Sequence, residues 1–183
     1  MNTSALKWVP RFEIPNRTNM FRTVEPNRTT PLNDDEFARA LEMETSRAHS
    51  GSQLGLILFG LDNLLDIYEN AGRVATDALL EQLGTHLARR VRAHDLFARF
   101  PDGEFALLTP GMELSEVTGC AVKLRHLVHE FHFNRIGRIG ASFGVTHHQP
   151  GETGALLQAR ARRALDRARA AGGNRVSAAR AEP

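Results

Sequence analysis

Leu54 to Leu61 is a run of eight residues, LGLILFGL, with no polar side chain, and it stops at Asp62. An extended chain points successive side chains to opposite faces, so an apolar run of this kind needs cover on both sides. It reads as a buried central strand, which requires strand neighbours at its edges and helices above and below.

The rest of the chain supplies them. Asn33-Asp34-Asp35-Glu36 reads as a helix start, with Asn33 as N-cap, Glu36 reaching back, and acids at the positive end of the dipole. Phe37 and Leu41 continue its apolar face to about His49, and Ser50-Gly51-Ser52 ends it. Asp62 to about Asn70 is helical, Ala71-Gly72 interrupts, and Val74 to Arg92 is amphipathic through Leu79, Leu80, Leu83, Leu87 and Val91. Asp95 to Phe100 and Glu104 to Thr109 are strand-like runs joined by Pro101-Asp102-Gly103, a hairpin signal. A helix from about Ser115 to Phe131, a strand near Ile139 to His147 and a helix from about Thr153 to Ala171 follow. Gly172-Gly173 stops that helix, and Arg175 to Ser177 predicts a last edge strand. The order predicts an α/β (α+β) domain with a mixed sheet covered by helices.

The chain of 183 residues divides into an irregular tail over 1–31, a domain over 32–178 and a short tail over 179–183. The first tail holds half of the prolines and scattered aromatics without a period. Acids and bases nearly balance at a net charge of +2, which gives no general argument for nucleic-acid binding. Arginine and alanine crowd the stretch from Arg160 to Arg180, either as a solvated helix face or as an anion-binding surface. A single cysteine, Cys120, excludes an internal disulfide and is expected to serve as a small buried hydrophobe beside Val117, Ala121 and Leu124. No apolar run has the length of a membrane span, and the N-terminus does not read as a secretory signal, so a cytoplasmic location without membrane or nucleic-acid partners is expected. His147 and His148 should point to opposite faces, and His126 and His129 lack a third ligand, so no metal site is expected.

The segment Arg92-Ala93-His94-Asp95-Leu96-Phe97-Ala98-Arg99-Phe100-Pro101-Asp102-Gly103-Glu104-Phe105 resembles the RxxD-five-residue-GGDEF signature of diguanylate cyclases. Gly72 to Asp77 resembles the GHxxGD loop of that family. Ile139 to Val145 resembles its late strand, and Ala161 to Val176 its ADxALYxAKxxGxNRV ending. In order and spacing the resemblance spans about residues 30 to 178. It implies a five-stranded, mostly antiparallel sheet surrounded by helices, related to the palm of nucleotidyl cyclases and polymerases.

Active members of the family make cyclic di-GMP from two GTP molecules, with divalent cations held by carboxylates. Such phosphoryl transfer is mostly positioning and charge neutralisation, for which hard oxygen ligands suit Mg²⁺. The resemblance places Gly103 and Gly60 where those carboxylates are expected, and Tyr68 where an Asn reads guanine. Pro101 and Asp102 replace the two leading glycines, and Arg73 the His after Gly72. Glu104 survives at the fourth signature position, Asp77 matches an acid that helps to read guanine, and Arg169 matches a lysine used on the triphosphate. Asp62, two residues past Gly60, would point to the same side if the strand continued. These departures predict a domain that is not an enzyme and carries no cofactor.

Arg92 and Asp95 match the inhibitory site, where the family binds its product. An Arg fork can donate to O6 and N7 of guanine, and a carboxylate can accept from its N1 and N2 side. The first expectation is therefore a cyclic di-GMP receptor, with Arg89, Arg90 and Arg99 as candidate phosphate contacts. The alternative is a docking scaffold for another signalling protein, such as a phosphodiesterase, response regulator or PilZ-type adaptor. A third reading, a GTP-binding or weakly active domain, would depend on Glu104, Asp77 and Arg169 instead.

Overall fold

A computed structural model of the chain describes residues 30–133 and 136–179. The expected tail over 1–31 falls almost wholly outside them, as does most of 179–183.

Ten elements follow one another. They are α1 (Asp34–Ala48), β1 (Leu54–Leu61), α2 (Leu64–Ala71), α3 (Arg73–Ala88), β2 (Leu96–Arg99), β3 (Glu104–Pro110), α4 (Leu114–Glu130), β4 (Ala141–His147), α5 (Gly154–Ala170) and β5 (Val176–Ala178). The start of α1 is closed by a capping box, with Asn33 and Glu36 each accepting from the other's backbone N–H at 3.0 Å. The strands form one sheet in the order β2-β3-β1-β4-β5, antiparallel throughout except for the β4–β5 pair. This is the mixed sheet that the element order predicts, and the five-stranded, mostly antiparallel one that the resemblance implies.

β1 lies at its centre, and every one of its residues is buried. Ile57, Phe59 and Leu61 face α3 and α4, where Leu83, Leu87, Val117 and Leu124 cover them. Leu56 and Leu58 face α1 and α5, against Phe37, Leu41, Leu157 and Leu165. Each face thus has its own core, which explains why the run carries no polar side chain.

Four phenylalanines cross the first face from strand to strand. Ring centroids lie 5.7 Å apart from Phe97 to Phe105, 5.2 Å from Phe105 to Phe59, and 4.6 Å from Phe59 to Phe143. Cross-strand aromatic neighbours of this kind add to pairing beyond their buried area. On the second face α5 sits directly on β4. A Cβ built on Gly144 would come within 2.2 Å of Ala161 O and 2.3 Å of Leu165 N, so only glycine admits the helix backbone here.

The Pro101-Asp102-Gly103 hairpin closes through Gly103 N donating to Phe100 O at 3.1 Å and Phe100 N donating to Glu104 O at 2.8 Å. Gly103 has φ +83°, the left-handed position that three-residue hairpin loops give to glycine. The turn brings Glu104 opposite Gly60 in the register of β3 against β1.

Candidate functional site

The β1 end that carries Gly60 opens into a groove of about 1160 Å³. Its walls come from the end of β1, the β2–β3 turn, the α2–α3 pair, and the C-terminal end of α5 with the turn after it. Gly60, Asp62, Tyr68, Asp77, Gly103, Glu104 and Arg169 all line it, so the fold gathers every residue that the resemblance assigned to the former active site.

Their environments differ. Glu104 is buried, and Arg169 Nη1 donates to its Oε1 at 2.9 Å while Arg162 Nη1 contacts Oε2. A Cβ on Gly60 would lie 2.6 Å from Arg169 Nη2, so the guanidinium occupies the space that a side chain at 60 would need. Asp62 accepts from Ser142 Oγ and from the backbone N of Asn174, both at 2.7 Å. Its carboxylate therefore ties the end of β1 to β4 and to the turn before β5. Tyr68 stands half exposed on the rim. Asp77 faces Arg73 at 3.7 Å in a solvated pair of little energetic weight.

The divalent cations implied by the resemblance need converging carboxylate oxygens. As placed, both oxygens of Glu104 end on guanidinium groups and both oxygens of Asp62 accept hydrogen bonds. Among the described residues no group of three or more His, Cys, Asp and Glu is arranged to hold a metal ion. These side chains fit guanidinium pairing and do not fit a divalent cation.

A second, separate pocket of about 300 Å³ lies between the turn after α3 and the side of α4. Arg92 and Asp95 line it together with Arg90 and Lys123. Asp95 is buried, its Oδ2 accepts from Arg92 N at 3.1 Å, and its own N donates to Arg92 O at 3.1 Å. The RxxD spacing is thus a closed turn that holds the carboxylate beside the arginine. Met112, Leu124 and Leu127 give the pocket an apolar wall. Cys120 lines it too and is half-buried, and its thiol is pushed up to about 11 by burial first and the Asp95 charge second. Of the three further arginines expected here, only Arg90 lines this pocket. Arg89 caps α3, and Arg99 lines a separate hollow with Asn33 and Phe100.

A family model described as "Diguanylate cyclase, GGDEF domain" matches residues 27–175. The chain belongs to the GGDEF family. Among curated proteins, this GGDEF domain is 31% identical over 158 residues to the diguanylate cyclase DgcP of Pseudomonas aeruginosa, covering 84% of the chain and 23% of DgcP. It is 30% identical over 118 residues to the probable diguanylate cyclase DgcE of Escherichia coli, covering 62% of the chain and 11% of DgcE. The chain therefore spans less than a quarter of either relative. Among solved structures, the coiled coil and GGDEF domain of DgcB from Caulobacter crescentus, in complex with c-di-GMP, superposes with a TM-score of 0.77 at 25% identity. That match covers 82% of this chain and 83% of the other. The diguanylate cyclase SiaD of Pseudomonas aeruginosa, in complex with its activator SiaC, superposes with a TM-score of 0.76 at 25% identity, covering 80% and 58%.

These relatives correct one expectation. The departures at Gly60 and Gly103 predict a domain that is not an enzyme, yet the curated relatives at 30 and 31% identity are named as cyclases. Replacing a ligand position removes a donor, but it leaves the groove, Glu104 and the arginines around it in place.

Sequence reasoning missed Arg162 and the α4 wall of the smaller pocket. Arg162 lies seven residues before Arg169, two helical turns along the same face, and that spacing was the available signal. Glu116, Gly119 and Lys123 recur at helical spacing on α4 in the same way and line the pocket.

Proposed function

We propose that this GGDEF domain acts in cyclic di-GMP signalling and binds cyclic di-GMP in the pocket between the Arg92–Asp95 turn and α4. One observation carries the reading: an arginine and a carboxylate joined by a local turn, with Arg92 N donating to Asp95 Oδ2, both line a pocket of about 300 Å³ with an apolar wall. Guanine asks for that combination. Its O6 and N7 accept from an arginine fork, its N1 and N2 donate to a carboxylate, and its ring face packs on apolar side chains. Arg90 and Lys123 add positive charge for the phosphates. The resemblance of the fold to the DgcB structure, a c-di-GMP complex, supports the same assignment.

The test is calorimetric titration of cyclic di-GMP into the wild-type domain and into Arg92→Ala. Micromolar or tighter binding, weakened at least about tenfold in the variant, is expected, a loss of about 1.4 kcal/mol or more. Absence of binding to wild type, or binding indifferent to Arg92→Ala, rejects the assignment. Chromatography of parallel samples with GTP and Mg²⁺ reads turnover directly.

A second reading, docking of another signalling protein, is favoured by Leu65, Tyr68 and Val74, which stand exposed on α2 and α3. It predicts capture of the partner that survives Arg92→Ala and fails when Leu65 and Val74 are made polar.

A further inference from the structure

Three elements meet beyond the other end of β1, the one that carries Leu54. His148 follows β4, and its backbone N donates to Leu54 O at 2.8 Å. His49 caps the C-terminal end of α1. Both rings turn Nε2 toward one atom, the backbone oxygen of Glu152 before α5, at 3.1 Å from His49 and 3.0 Å from His148. A carbonyl oxygen only accepts, so each Nε2 carries a proton there. The ring centroids are 5.1 Å apart, so two imidazole nitrogens and a carbonyl oxygen converge on one small space.

The corner is held in place. The Glu152 carboxylate is buried against Arg160, its Oε2 accepts from Gln149 N at 3.0 Å, and its own N donates to Gln149 O at 3.0 Å. These bonds fix the direction of its carbonyl. His148 is buried and His49 exposed, so the pair has one side in the protein and one in water. One turn before His49 on the same face of α1, Thr45 is only 4% exposed, and its Oγ1 has no hydrogen-bond partner among the described residues. That hydroxyl lies 3.3 Å from a Cβ built on Gly154, two residues after Glu152, so it stands at the same corner. A buried hydroxyl in this condition calls for a bound water or ligand.

We infer that His49 and His148 bind a divalent transition metal ion of the Zn²⁺ kind through their Nε2 atoms, with Glu152 O as third ligand and water as fourth. Imidazole suits Zn²⁺, whereas Mg²⁺ asks for an all-oxygen shell. Bonds of about 2.0–2.1 Å place the ion among donors that now stand a hydrogen bond apart. On loading, each ring passes its Nε2 proton to Nδ1 through solvent, so no electron moves and no proton is lost. The Glu152–Arg160 pair cancels its own charge, and the C-terminal end of α1 presents the negative end of a helix dipole. Thr45 Oγ1 is placed to hold the metal-bound water. The expectation of no metal site weighed histidines near each other in sequence, and these two come from different elements. None of these residues lines the groove or the smaller pocket, so the inference is independent of ligand binding at Arg92.

The probe is zinc chloride, titrated by calorimetry into the full chain in a buffer without chelator. One ion per chain is expected to bind with a Kd of about 10 μM or tighter, weakened at least about tenfold in His49→Ala and in His148→Ala. Zinc should also raise the melting temperature of the wild type more than that of His49→Ala. His126→Ala, on the exposed face of α4, and Cys120→Ser control for the other imidazoles and for the thiol, and both should leave binding unchanged. Should His148→Ala fail to fold, His49→Ala carries the test, because it changes an exposed side chain at a helix end. No zinc binding, binding indifferent to His49→Ala, or binding lost in His126→Ala or Cys120→Ser overturns the inference.

Discussion

His86 shows how much one side chain's surroundings change its chemistry. Its ring packs edge-on against Phe131 at 4.6 Å, and its own carbonyl accepts from Arg90. Burial first, then the Arg90 and Arg89 charges, lower its pKa from 6.5 to about 4. Above about pH 6.5 the imidazole is neutral in folded and unfolded chains alike, and below about pH 4 it is protonated in both. Between those limits only the unfolded chain takes up the proton, so this residue drains stability as pH falls through the window. The melting temperature is expected to drop from pH 7 to pH 5, and to drop less in His86→Gln. An identical drop in both proteins would assign the dependence to other groups. Gly103 makes a different point at the same scale. It stands where the resemblance expects a carboxylate, and it has a positive φ, with a Cβ there only 2.5 Å from Leu64 Cδ2. Its identity answers to the turn.

At the scale of elements, α5 shows what a basic run can conceal. Read as a solvated face or an anion-binding surface, the stretch from Arg160 turns out to hold a buried ion pair. Arg160 Nε and Nη2 donate to Glu152 Oε1 and Oε2 at 2.6 and 2.8 Å, and Nη2 also donates to His147 O at 2.5 Å. With both side chains under a tenth exposed, removing one partner strands the other's charge away from water. Arg160→Ala is expected to cost about 3–5 kcal/mol in denaturant unfolding, against at most about 1 kcal/mol for the more exposed Arg47–Glu44 pair on α1. Elements whose signals are local were legible in the sequence. β1 has polar stops at both ends, α1 carries its own capping box, and the β2–β3 turn announces itself by Asp-Gly. The pairing of Glu104 was not legible, because Arg169 lies 65 residues away and meets it only after α5 crosses the sheet. The α4 wall of the Arg92 pocket escaped for the same reason, since nothing local says which face of a helix borders a cavity.

For the molecule as a whole, the two pockets share few elements. The smaller one uses the turn after α3 and the side of α4, while the groove uses the ends of β1, β3 and α5 with the α2–α3 pair and touches α4 only at His129. A ligand that binds only the folded chain stabilises it by mass action, by about 2.7 kcal/mol at a hundredfold excess over Kd. Cyclic di-GMP at that excess should therefore raise the melting temperature by roughly 5–11 °C. At the same ligand concentration Arg92→Ala should cut that rise to about half or less, and Arg169→Ala should preserve it. Loss of the rise in both variants would mean that the pockets are not separable.

The seat of α5 on Gly144 bears on how an occupied groove could be reported elsewhere. With helix backbone pressed on strand backbone, α5 cannot slide along the sheet without lifting off it. A pull on Arg169 is then shared by the entire α5–sheet slab and produces little relative motion inside it. The part left to respond is the Pro101–Gly103 turn beside the groove, because the turn at Gly172–Asn174 is held by Asp62 through Asn174 N. Any message leaving the groove would travel outward through that turn, to whatever surface next touches it.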